Sequence, residues 1–95
     1  MSQTPCWDAI QSHPLDNVAT LLRPITIGHA LTIQTTEDTV KAIANNDIPR
    51  CHKMALRPIA QHEPIVKYGA TIGTATQSIA TGDWVHVHNL ISTRA

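Results

Sequence analysis

Phenylalanine is absent from these 95 residues, and Trp7, Trp84 and Tyr68 are the only aromatics, so any core is aliphatic: Ile, Val, Leu and Ala. Cysteine is scarce. Cys6 and Cys51 have no CxxC spacing, which excludes a disulfide-dense scaffold and fits two free thiols in a reducing cytoplasm. Net charge is missing too. Seven basic and seven acidic side chains cancel, whereas a nucleic-acid binder of this size carries a basic excess to offset phosphates. No apolar run approaches the roughly 18–20 residues of a membrane span. The N-terminus, Met1 to Cys6, lacks the basic-then-apolar pattern of a secretory signal. No Walker loop, dinucleotide fingerprint or Ser-His-Asp order occurs. What remains is one small domain with a modest core.

The charge that is present is divided. Residues 1–47 hold Arg23 and Lys41 against Asp8, Asp16, Glu37, Asp38 and Asp47, a net of −3. Residues 48–95 hold Arg50, Lys53, Arg57, Lys67 and Arg94 against Glu63 and Asp83, a net of +3, and carry four of the six histidines. The second half is therefore the one suited to face an anion.

A short pattern recurs four times: Ile, two residues, a turn position, two residues, an apolar residue. The copies are Ile25–Leu31, Ile48–Met54, Ile59–Ile65 and Ile79–Val85, and their turn positions are Gly28, Cys51, His62 and Gly82. Glycine suits a turn that demands positive φ. At Cys51 and His62 the turn either avoids positive φ or stores strain. Between the turns lie strand-like segments rich in β-branched residues: 18–22, 31–35, 65–68, 71–75 and 84–88. Residues 37–44 are the one stretch that reads as one or two helical turns, and six prolines leave no room for a longer helix. The expected fold is all-β, with residues 1–15 as a loosely ordered N-terminal arm and 16–92 as the domain.

His86-Val87-His88 is the sharpest chemical feature. On a strand, residues i and i+2 share a face about 7 Å apart at Cα, a spacing that suits chelation of Zn, Fe or Mn. His52, beside a turn of another copy, is the candidate third ligand. The same spacing also describes the wet face of an edge strand. Lys67-Tyr68-Gly69 pairs a cation that can hold a carboxylate with a phenol that can donate a proton; it equally describes a strand end running into a turn. Cys51 and His52 are adjacent, so in an extended segment they point apart and do not make a nucleophile–base pair.

Three strings together resemble the small SAF-type domain of the altronate and galactarate dehydratase family: Asp47 to Ala60 (DIPRCHKMALRPIA), Glu63 to Thr76 (EPIVKYGATIGTAT) and Ile79 to Leu90 (IATGDWVHVHNL), with Asp16-Asn17-Val18-Ala19 as the usual opening. The resemblance covers residues 16–90. Cys51 and His62 stand where the family pattern has glycine, while His52, Lys53, Lys67, Tyr68, His86, His88 and Asn89 are retained. The resemblance implies a β-clip, a bent ribbon closing a partial barrel. It also implies a metal-dependent hydro-lyase that removes water from an aldonic or aldaric acid to give a 2-keto-3-deoxy acid in hexuronate breakdown. On that reading His52, His86 and His88 contact a divalent metal, Fe²⁺ or Mn²⁺. Lys53 and Asn89 bind the sugar acid, and Lys67 and Tyr68 are catalytic. The partner is a large catalytic subunit of the same family, in the cytoplasm, with no nucleic acid or membrane involved and room for a homo-oligomer. The Met1 start and short tail favour a separate small subunit. The alternatives are the small subunit of a sulfolactate sulfo-lyase-like enzyme and a non-catalytic carbohydrate-binding SAF module. Which sugar acid is used stays open.

Overall fold

A computed structural model describes residues 7–92. Its strands are β1 (Ala9–Ile10), β2 (Val18–Leu21), β3 (Ala30–Gln34), β4 (Thr39–Ile43), β5 (Lys53–Ala55), β6 (Pro64–Lys67), β7 (Ala70–Ala75), β8 (Trp84–Val85) and β9 (Leu90–Ser92). One sheet runs β4-β3-β1-β2-β5-β8 and a second runs β6-β7-β9. Only β1 and β3 pair in parallel; the other ladders are antiparallel. The all-β expectation holds, and the sheet curls strongly into a half-barrel.

Two expectations are corrected. The segment 37–44 is not helical: Thr39–Ile43 is β4, paired with β3 from Ala30↔Ile43 to Gln34↔Thr39. The preceding residues form a turn closed by Thr35 N–H on the Asp38 carbonyl at 2.8 Å and by Asp38 N–H on the Thr35 hydroxyl at 2.9 Å. The β-branched Thr39, Val40 and Ile43 follow the hairpin, and a five-residue ladder outweighs a two-turn helix. The N-terminal arm also divides. Residues 1–6 lie outside the described residues, but Asp8 and Ala9 are buried and β1 is inserted between β2 and β3.

The fourfold repeat is realised in the backbone. All four turn positions have positive φ: Gly28 88°, Cys51 71°, His62 76° and Gly82 93°. Each sits third in a β-turn closed by the next residue's N–H on the carbonyl three residues back (His29 on Thr26, His52 on Pro49, Glu63 on Ala60, Asp83 on Ala80), the pattern that requires positive φ at that place. The anchors pair by twos, with reciprocal N–H to C=O bonds between Ile25 and Ile48 at 2.8–2.9 Å and between Ile59 and Ile79 at 2.8 Å. The turns cross the same pairs. Gly28 donates to Ala44 and Cys51 to Leu21, while His62 donates to Ala75 and Gly82 to Ala55. Each acceptor lies four residues before an anchor isoleucine. One local scheme thus builds two lobes, each joined by a two-fold-like exchange.

Each lobe has its own core. Leu21, Ile25, Leu31, Ile33, Ala44, Ile48 and Met54 belong to the first, and Val18, Ala55, Ile59, Ile65, Ala75, Ile79 and Val85 to the second. The paired strands β2 and β5 form the wall between them. Val18 and Ala55 face one core while Ala19 and Met54 face the other, as period-two alternation dictates.

Candidate functional site

The site lies at the seam between the lobes, where β5 and β8 pair. Their register sets Lys53 against Val85 and Met54 against Trp84. One step further along the ladder brings His52, just past the Cys51 turn, towards His86, and the two ring centroids are 4.7 Å apart. Trp84 is the hub. His86 stacks on it at 5.3 Å with 8° between the planes, His88 meets it at 5.4 Å, and His52 at 5.5 Å. The indole N–H donates to His52 Nδ1 at 3.2 Å. Trp84 also borders a cleft of about 450 Å³ between Pro24–Thr26 and Asp47–Pro49.

The surroundings are basic. Burial, and then the charge of Lys67, lower the pKa of Lys53. Burial, then His52, Lys53 and His88, lower that of His86. Lys67 thus acts on Lys53, and Lys53, His52 and His88 act on His86, which links the five basic side chains into one connected set. Among the described residues the ion pair between permanently charged groups is Arg23 with Asp8, whose other oxygen lies 3.4 Å from His29 Nε2. Lys67 leads into the hairpin tip between β6 and β7, and its Nζ stands 5.1 Å from the centroid of the exposed Tyr68 ring.

Residues 7–93 match the family model described as the altronate/galactarate dehydratase SAF domain. The chain belongs to that family. It is 44% identical over 80 residues to an altronate dehydratase of Bacillus subtilis (strain 168) and 39% identical over 80 residues to one of Escherichia coli (strain K12). Each match covers 84% of this chain but 15% of the relative, so the chain spans about a seventh of those proteins. It is also 41% identical over 56 residues to the (2R)-sulfolactate sulfo-lyase subunit alpha of Chromohalobacter salexigens, covering 59% of this chain and 60% of that subunit. These relatives are lyases, and the stretch they share with this chain lies in its SAF domain.

Within this SAF domain the seven residues singled out from the sequence divide by role. His52, His86 and His88 come together, and Lys53 and Lys67 lie within electrostatic reach of one another. The strand geometry assumed for His86 and His88 is corrected. β8 ends at Val85, and residues 86–89 form a turn closed by Asn89 N–H on the His86 carbonyl at 3.0 Å. Both rings reach Trp84 through that turn rather than through strand alternation, and Val87 is 78% exposed instead of filling a core. Asn89 is buried and holds this turn: its amide oxygen accepts from His86 N–H at 2.9 Å, and its amide nitrogen donates to the Trp84 carbonyl at 2.8 Å. Its side chain therefore shapes the site through the backbone of Trp84 and His86.

The three-histidine metal set does not fit this arrangement. Among the described residues no group of three or more His, Cys, Asp or Glu is placed to hold a metal ion. Because His52 Nδ1 accepts the indole proton, a neutral His52 carries its own proton on Nε2, and neither nitrogen then offers a lone pair to a cation. His52 thus presents an N–H donor, and Lys53 beside it a positive charge, which are groups for an anion.

Three residues that sequence reasoning passed over prove central. Trp84 was read as part of an alternating strand. Asp16-Asn17 served only as a matching opening, although both residues are buried and hold the Lys67–Tyr68 hairpin. The available signal was the rarity of tryptophan in this chain and an Asp-Asn pair directly before a strand.

Proposed function

We propose that this chain is the small subunit or N-terminal domain of a sugar-acid hydro-lyase of the altronate/galactarate type, and that it supplies the face that receives the substrate carboxylate. The observation that carries the reading is the gathering of His52, His86 and His88 on Trp84, with Lys53 beside them on the β5–β8 ladder and Lys67 within electrostatic reach of Lys53, in a chain whose relatives are dehydratases and lyases. Dehydration of a 2,3-dihydroxy acid starts with removal of the proton beside the carboxylate, which places a second negative charge on the acid. Lys53 and Lys67 stabilise that charge, because preorganised cations act where charge develops. The His52 Nε2–H donates a hydrogen bond to the same oxygens. The C3 hydroxyl departs as water once protonated, and the Tyr68 phenol is the donor in this scheme. The enol left behind tautomerises, releasing its C2 hydroxyl proton to water as C3 takes one up, and gives the 2-keto-3-deoxy acid. The base that removes the first proton belongs to the large partner. So do the chief donors to the divalent Fe²⁺ or Mn²⁺ ion expected from the resemblance.

The test is binding and turnover in parallel. The chain is titrated with galactarate and D-altronate, and dehydration is assayed with the large family subunit co-expressed. Lys53→Met and Lys67→Met are each expected to weaken binding about tenfold, the loss of one charge-assisted contact. Unchanged binding in the double variant overturns the reading. A second reading, the small subunit of a sulfo-lyase-like enzyme, draws on the alpha-subunit relative, since 56 residues are 60% of it and it is thus about as long as this chain. Sulfolactate competing better than galactarate in the same titration favours it.

A further inference from the structure

The tip of the β6–β7 hairpin is built against local preference. Its two-residue turn, between the paired Lys67 and Ala70, has both central residues at positive φ: Tyr68 at 55° and Gly69 at 74°. Such a turn selects Asn-Gly or Asp-Gly, and a tyrosine held in the left-handed region is strained. Asp16 imposes it. This carboxylate is 1% exposed, and its two oxygens accept the N–H groups of Tyr68 at 3.0 Å and Gly69 at 2.8 Å. Asn17 fixes the strand leading in, accepting from Val66 N–H at 2.8 Å and donating to the Pro64 carbonyl at 2.9 Å. The His13 ring lies against Gly69 so closely that a Cβ there would stand 2.8 Å from it. Yet the tyrosine so held is 67% exposed and adds nothing to either core. A buried clamp that forces a strained, outward-facing ring serves presentation rather than packing.

We propose that Asp16 is a positioning residue, whose buried carboxylate presents Lys67 and Tyr68 to the anionic substrate in one preset orientation that the turn does not adopt unaided. The proposal rests on the reading of Lys67 and Tyr68 as substrate-facing, and its test separates the two. Wild type, Tyr68→Asn, Asp16→Asn and the double variant are compared by thermal melting, by the upfield NMR shift that the Tyr68 ring imposes on the Lys67 side-chain methylenes, and by titration with galactarate. Tyr68→Asn relieves the strain, so its melting midpoint rises by roughly 3–5 °C while galactarate affinity falls about tenfold. Asp16→Asn lowers the midpoint, abolishes the Lys67 shift and weakens galactarate about tenfold. In the double variant, whose Asn-Gly turn needs no clamp, the midpoint recovers and the affinity does not. That variant carries the comparison should Asp16→Asn fail to fold. The proposal is overturned if Tyr68→Asn melts no higher than wild type, or if Asp16→Asn keeps both the Lys67 shift and the affinity. If melts and shifts behave as expected but wild type does not bind galactarate, the substrate-facing reading falls and the hold of Asp16 on the turn stands.

Discussion

The lobe around Ile25 and Ile48 and the lobe around Ile59 and Ile79 share one hydrogen-bond scheme and differ in what surrounds it. Each has one glycine turn and one non-glycine turn: Gly28 with Cys51, and Gly82 with His62. Behind Gly28 a Cβ would meet nothing within 4 Å, whereas at Gly82 it would stand 2.1 Å from the Ile43 carbonyl oxygen. Gly82 is pressed there because Asn45 and Asn46 clasp its loop: Asn45 Nδ2 bonds Thr81 and Asp83, and the Asn46 carbonyl side-chain oxygen accepts from Trp84 N–H. The first lobe therefore reaches across and fixes the loop that leads into Trp84 and His86. The comparison shows that the scheme demands a positive φ at all four turns, but demands glycine only where another part of the chain leans on the turn.

The sharpest way to break that comparison is one substitution placed in both lobes. Gly82→Ala combines left-handed strain with a backbone collision and is expected to cost about 3 kcal/mol or more. Gly28→Ala carries the strain alone, about 1–2 kcal/mol. Chemical denaturation of the two variants measures the difference, and equal losses would mean that the contact with Ile43 yields easily. Gly82→Ala should also disturb the Trp84 fluorescence, which Gly28→Ala should leave alone.

The next effect belongs to the first lobe. Buried Asp8 accepts Thr32 N–H at 2.8 Å and pairs with Arg23, whose Nε lies 2.6 Å from Oδ1. This tethers β1 to its neighbours, and Asp8→Ala should cost about 2–3 kcal/mol, tempered by the exposure of Arg23. Burial pushes the Asp8 pKa up, but the Thr32 amide, Arg23 and His29 outweigh it and leave the carboxyl below its usual 3.8. A depressed folded pKa means stability present above 3.8 and lost as pH falls through the folded value. Denaturation between pH 5 and 2 should show wild type losing stability more steeply than Asp8→Ala; parallel curves would remove Asp8 from the account.

Much of this was legible in the sequence. The four copies are visible as text, and their turn positions are, among the described residues, the four with positive φ outside the hairpin tip. The pairing of the copies was not legible, since reciprocal bonds between Ile25 and Ile48 join segments 23 residues apart and no local pattern encodes that choice. The segment 37–44 misled because its ladder partner β3 decides its state, and propensity yields to tertiary pairing. At the site, the residue types were right and the geometry was not. His86 and His88 were read along a strand, whereas the cluster forms across the β5–β8 ladder and around a turn held by Asn89. A residue-level pattern shows alternation but not where a strand stops.

A gentler sharpening replaces the two non-glycine turns. Cys51→Gly and His62→Gly each remove a left-handed side chain and should stabilise by up to about 1 kcal/mol, with the greater freedom of glycine in the unfolded chain setting that limit. Both side chains are exposed, so no packing is lost. Thermal melts decide, and a midpoint below wild type in both would show that these turns bear no strain.

The smallest effect tests the seam itself. Burial, then the neighbouring His52, Lys53 and His88, hold the pKa of His86 below its ordinary 6.5. The folded state then binds this proton less readily than the unfolded state, so the contribution of His86 to stability is present above pH 6.5 and declines as pH falls through 6.5 towards the lowered value. Following the His86 ring protons by NMR should give a midpoint below 6.5 in the folded chain, and Lys53→Met should move it upward by removing one of the opposing charges. The control is Lys41→Met on β4, a lysine that does not figure among the charges acting on His86. If His86 titrates at or above 6.5, or responds equally to both substitutions, the five basic side chains are not one connected set. The seam then differs from the rest of the surface only in its aromatic ring.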